Sequence, residues 1–186
     1  MRTTHIALTV SLMLVSALVG TGVGYYLTPE YRLAMYDTYG MDLGTADRWL
    51  DLRYLNAMIA HHRGAMLLAE QAQSSERQEV RDLAATILAS EPKLIAELYT
   101  WKREWYGDTR FVRDPLVPHV GEYDDSFDLR FLNALIAHHE TGVRMTEDVR
   151  RKSSRSQVLD NADAVQSFLT TSGALLKGWR AEWYSL

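Results

Sequence analysis

The chain has 186 residues, 24% of them charged and 47% hydrophobic, with a formal net charge of −4 at pH 7, the composition of one globular domain with an appendage and not of a disordered or fibrous protein. A net negative charge without any basic run argues against nucleic acid as a partner. No cysteine is present, which excludes disulfides, thiolate metal sites and thiol chemistry and leaves nitrogen, oxygen or thioether to hold any metal.

The appendage stands at the front. From Ile6 to Leu27 there is no charged residue, and at about 1.5 Å per residue this run can cross a hydrocarbon core of roughly 30 Å. Residues 1–27 therefore read as an N-terminal transmembrane anchor. A cleaved secretory signal is the rival, because Arg2 and His5 give a basic start and Gly20, Thr21 and Gly22 offer small residues for cleavage. The apolar run continues through Val23 to Leu27, past that point, and exceeds the usual signal core of about 7 to 15 residues. Either reading exports the remainder, so the expected location is the bacterial cell envelope, with the C-terminal domain on the periplasmic or extracellular side. Residues 28–46, with Pro29, Gly40 and Gly44, read as a linker.

From about Asp47 to Gln73, Leu55, Met58, Met66 and Ala69 recur at helical spacing and predict a first amphipathic helix. Ser75 with Gln78 makes a capping box, and Val80, Leu83, Ile87, Leu94, Leu98 and Trp101 carry the apolar stripe of a second helix to about Tyr106. Pro92 is expected to kink or briefly break it. Residues 107–124, holding Pro115, Pro118 and Gly121, read as a crossover loop. A third helix follows from about Asp125 to Arg151, and Ser154 with Gln157 repeats the capping box ahead of a fourth.

The order of these elements is a duplication. DLRYLNAMIAHH at Asp51–His62 returns as DLRFLNALIAHH at Asp128–His139, identical at ten of twelve positions, and Trp101, Glu104, Trp105 and Tyr106 return as Trp179, Glu182, Trp183 and Tyr184. The predicted fold is all-α: a ferritin-like four-helix bundle over 47–186, built from repeated hairpins 47–106 and 125–186 and preceded by the N-terminal transmembrane helix.

Four of the six histidines fall at matched positions, as pairs His61, His62 and His138, His139. At about 100° per residue, His62 shares a narrow arc with Leu55 and Met58, and His61 lies on its flank with Ala65 and Leu68. The expectation is that His62 meets His139 across a pseudo-twofold axis, with His61 and His138 reaching adjoining helices. Met58 lies between the imidazole directions and Met145 on the flank of His138. A His/Met set without carboxylate suits a transition metal ion, copper and Cu(I) in particular, better than magnesium or calcium. Two other readings stand beside it: methionines as core filler, and the histidines as a pH-sensitive structural cluster.

Other repeated polar residues have structural readings. Asp51 and Asp128 suit helix starts, Arg53, Arg130, Asn56 and Asn133 are expected to pair at the bundle surface, Glu70 and Glu147 to face solvent, and the tryptophans to cap the core. His119, single and in a loop, is expected to be solvated. The Glu-x-x-His motif of carboxylate-bridged diiron bundles does not occur, since Met58, Ile59, Leu135 and Ile136 stand three residues before the histidines. With no Ser-His-Asp or phosphate-loop pattern either, the expectation is a protein that is not an enzyme.

Over Asp51–Ala69 and Asp128–Thr146 the chain resembles the bacterial family labelled "domain of unknown function 305", whose hallmark is F-L-x-x-M-I-x-H-H-x-x-A-I-x-M-A. The resemblance spans both hairpins and implies a helical, exported or membrane-anchored domain with relatives linked to copper. The histidine pairs carry over, as do Met58 and Met145, whereas Leu68 and Leu135 replace the hallmark's other methionines. Where the family's second helices often carry Gln and Glu before the tryptophan, Glu91 and Leu94 stand in one half and Leu169 and Ser172 in the other. The functional expectation is a membrane-anchored bundle that binds a transition metal, copper first, through His61, His62, His138 and His139 with Met58 and Met145, in envelope metal handling. The alternative is a non-catalytic interaction subunit with structural histidines, docking on a membrane-protein partner or forming a homo-oligomer. A third reading, an oxidase or reductase, requires an open coordination position on a bound metal.

Overall fold

A computed structural model describes residues 42–184; the anchor assigned to 1–27 and the linker up to residue 41 lie outside the described residues. All regular structure within them is helical: α1 (Leu50–Ala72), α2 (Gln78–Tyr106), α3 (Phe127–Lys152) and α4 (Ser156–Tyr184). Among the described residues no helix is long and apolar enough to cross a membrane.

The repeated segments become the inner helices. α1 packs on α2 and α3 on α4, and the hairpins meet chiefly along α1 and α3. This is why α3 is buried nearly all round, at Leu129, Phe131, Leu132 and every residue from Ala134 to His139. The outer helices bury a stripe only: Val80, Ala84, Ile87, Glu91 and Leu98 on α2, Val158, Ala162, Leu169 and Leu176 on α4, the three-and-four spacing of an amphipathic helix.

The core is divided along the bundle axis. Leu68, Val80, Phe131, Leu132 and Leu176 belong to one cluster, and Tyr54, Leu55, Met58, Leu98, Val149 and Val158 to another. Along α1 and α3 the four paired histidines fall between these clusters, so a layer of imidazoles interrupts the apolar interior.

Symmetric polar locks join the halves. The Ser75 hydroxyl donates to Asp128 Oδ1 at 2.5 Å and the Ser153 hydroxyl to Asp51 Oδ1 at 2.7 Å. Arg77 and Arg155 add ion pairs to the same carboxylates at 3.5 and 3.1 Å and lie over the rings of Trp183 and Trp105. The expected capping boxes do not form. Ser75 and Ser153 donate to the inter-hairpin carboxylates and accept the N–H two residues on, and α2 starts from Arg77 without a side-chain cap. Arg53 and Arg130 fold back on the segments before their helices, onto the carbonyls of Leu43 and Val120 and the carboxylates of Asp47 and Asp124, while Arg180 donates to Asn133. α2 runs through Pro92 without the expected break; packing on α1 on both sides of the proline holds the helix against its local cost.

The crossover from Gly107 to Ser126 lies along α1. Buried Lys102 donates to the Arg110 carbonyl at 2.6 Å, Arg63 holds the Asp114 carboxylate with two hydrogen bonds of 2.7 Å, and Gln71 bonds to Pro118 and Val120.

Candidate metal centre

The four paired imidazoles are all buried, between 3% and 8% exposed. Two glycines on the inner helices make this possible. A Cβ on Gly142 would collide with His61 Nε2 and Leu169, and one on Gly64 would press His138 Cε1 at 3.1 Å. The glycines thus let α1 and α3 approach until the rings of His61 and His138 stack, with centroids 3.8 Å apart and planes inclined by 19°. The expected arrangement is reversed: His61 and His138 meet across the pseudo-twofold axis, and His62 and His139 reach the outer helices. Periodicity places adjacent residues about 100° apart but does not fix how α1 is rotated against α3, and the glycines set that rotation.

On the hairpin-one side, His62 Nδ1 lies 2.5 Å from Oε2 of Glu91, itself 6% exposed. His62 and Glu91 thus form a close buried pair, and Oε2 has no other donor among the described residues. On the hairpin-two side, His139 Nε2 contacts the Ser172 hydroxyl at 3.0 Å. Glu91 and Ser172 are two of the four positions, with Leu94 and Leu169, that depart from the family's second-helix pattern, and sequence reasoning gave them no role. The signal for Glu91 was its place on the α2 stripe, four residues after Ile87 and seven before Leu98, where a charge requires a partner.

These side chains surround a cavity of about 300 Å³ between α2 and α4. Its floor is the four histidines, its walls include Ile87, Leu94, Val165, Phe168 and Leu169, and Glu91 is the single carboxylate lining it. Among the described residues four ring nitrogens lack a well-formed hydrogen bond: Nε2 of His62, Nδ1 of His139 and both nitrogens of His138, whose ring lies close to the His61 backbone. Buried polar atoms in this state are rare and costly. Burial, followed by the adjacent imidazoles, drives the pKa of His61 and His138 well below the usual histidine value, and burial lowers that of His139 to about 4. These rings are neutral at pH 7 and carry lone pairs.

Met58 and Met145, expected to assist, sit in the second core cluster and do not line the cavity. Glu70 and Glu147 are exposed, as is His119, whose Nδ1 accepts from the Gly121 N–H. Among the described residues no three His, Asp or Glu side chains already converge to hold one ion. Neutral imidazole nitrogens are the donor type that copper-class ions take, and bringing several of them onto one ion requires side-chain rotation.

Fold and site together define a duplicated helical-hairpin bundle with a buried imidazole cavity. Residues 51–120 match the model of the family described as "Domain of unknown function (DUF305)". Among solved structures the chain is similar to CopM in its Cu(I)-bound form, with 25% identity over 74% of this chain and 99% of that one and a TM-score of 0.65. It is also similar to the co-crystallised Ag-bound form, with 25% identity, 70% and 95% coverage and a TM-score of 0.63, and to the Cu(II)-bound form, with 25%, 72%, 97% and 0.62. No curated protein matches the chain.

Proposed function

We propose that this protein binds a copper-type transition metal ion in the cavity between α2 and α4, without catalytic turnover, as part of metal handling in the cell envelope. The observation that carries the reading is the set of four buried ring nitrogens on His62, His138 and His139. Neutral imidazole is a copper ligand, and an ion would satisfy ring nitrogens that the described residues leave without a well-formed hydrogen bond. The likeness to structures of CopM holding Cu(I), Cu(II) and Ag supports copper as the class of metal. His61 positions His138 through the ring stack, and Met58 and Met145 support the site as core. The charge-free run from Ile6 to Leu27 supports membrane anchoring, with the bundle on the outer side.

The test is titration of the full chain with Cu(I) and Ag(I), beside a variant carrying His62→Ala, His138→Ala and His139→Ala. The expected result is stoichiometric binding with a dissociation constant below about 1 μM, equivalent to about 8 kcal/mol, lost in a variant whose helical circular dichroism is retained. An intact chain that binds neither ion removes the reading. It would favour the interaction-subunit alternative, to which Phe111 and Leu116, 92% and 86% exposed on the crossover, lend an apolar surface.

A further inference from the structure

The duplication is faithful at the histidines and broken around them. By the repeat of the second helices, Glu91 of α2 corresponds to Leu169 of α4, and Leu94 to Ser172. All four line the cavity, so its hairpin-one wall carries a carboxylate where its hairpin-two wall carries an aliphatic side chain and a hydroxyl. Glu91 is buried, and the one close polar contact of its Oε2 among the described residues is with the ring of His62. A buried carboxylate is stable only when paired or coordinated to a cation.

From this asymmetry we infer that Glu91 is the specificity-determining residue of the cavity and makes its His62 side a subsite for divalent transition metal ions, leaving the His139–Ser172 side with neutral donors only. The inference rests on the metal-binding reading above and adds to it which charge state is taken where. The physical reason is charge balance. The cost of taking an ion out of water rises with the square of its charge, and the attraction of one carboxylate for a divalent ion is twice that for a monovalent ion at the same distance. Beside neutral imidazoles, which serve monovalent and divalent ions alike, a single buried carboxylate within reach therefore shifts preference toward Cu(II) and Zn(II) and away from Cu(I) and Ag(I). Carboxylate oxygen is also the harder donor, which suits the divalent ions. His62 and Glu91 supply nitrogen and oxygen side by side, and rotation of His138 or His139 or a water can complete the coordination number.

The experiment compares the full chain with Glu91→Gln, which keeps shape and removes charge, and Glu91→Leu, which copies the residue at the matching position in the other half. Each is titrated with Ag(I) and Zn(II), neither of which changes oxidation state, and with Cu(II) followed by electron paramagnetic resonance. Circular dichroism checks that each variant is folded. Expected is a fall in Zn(II) and Cu(II) affinity at least tenfold greater than the fall in Ag(I) affinity in both variants, with a changed Cu(II) spectrum as an oxygen donor is lost. An equal fall for all ions, or no fall, overturns the specificity role and leaves the metal site standing. So does a parent chain that binds Ag(I) but no divalent ion. A parent chain that binds none of the three overturns the metal site itself and this inference with it. Should Glu91→Leu unfold, Glu91→Gln alone decides.

Discussion

Buried neutral histidine has a price that pH exposes. His61, His138 and His139 have folded-state pKa values below that of an unfolded histidine, His139 at about 4. Above about pH 6.5 neither state binds protons at these rings and the penalty is absent; as pH falls below that value the unfolded chain takes up protons that the folded chain refuses. Stability of the metal-free domain is therefore expected to decline between about pH 6.5 and 4, by up to about 1.4 kcal/mol per unit for each ring, measured by urea unfolding across that range. The glycines that admit these rings give a second test. Gly142→Ala would drive a methyl group into His61 and Leu169 and is expected to destabilise by about 1–3 kcal/mol, as overpacking does. Gly178→Ala, on α4 with open space around its Cβ, is expected to stabilise by about 0.5–1 kcal/mol because alanine is the better helix former. Thermal melts of the two variants should move in opposite directions.

Between elements, the two hairpins are coupled through matching carboxylates at the starts of the inner helices. Asp51 receives the Ser153 hydroxyl and the Arg155 guanidinium, both from the other hairpin. Asp51→Ala is expected to cost about 1.5–3 kcal/mol, the range for hydrogen bonds to a charged group, and a double-mutant cycle with Ser153→Ala should show less than additive loss. The repeat made much of this architecture legible. It placed the four helices within three residues of their observed ends, and it singled out the histidine pairs without any structure. What it did not reveal arose between helices. The direction of each imidazole depends on the rotation of α1 against α3, which Gly64 and Gly142 set through contacts far apart in sequence. Ser75 was legible as a polar residue before a helix, but its partner Asp128 belongs to the other hairpin. Glu91 and Ser172 departed from the family's pattern and for that reason had no role to inherit; their contacts with His62 and His139 became visible only once the outer helices were laid on the inner ones.

For the molecule as a whole, a cavity that gains an ion only when folded links metal to stability. Free Ag(I) at 100 times its dissociation constant is expected to add about 2.7 kcal/mol to the unfolding free energy, seen as a rise in Tm that is absent from the triple-histidine variant. The same linkage opposes acid, because protons and metal compete for the same lone pairs. Pro92 bears on how an ion could enter. The ring nitrogen of residue 92 cannot donate to the Leu88 carbonyl, so the turn of α2 that presents Glu91 is one backbone bond short, while α1 and α3 beneath it keep their stacked rings. The outer wall of the cavity is therefore less tied by its own backbone at that turn than the floor is. Amide protons around this turn should accordingly exchange with solvent sooner than those of the inner helices, and slow when the cavity is filled.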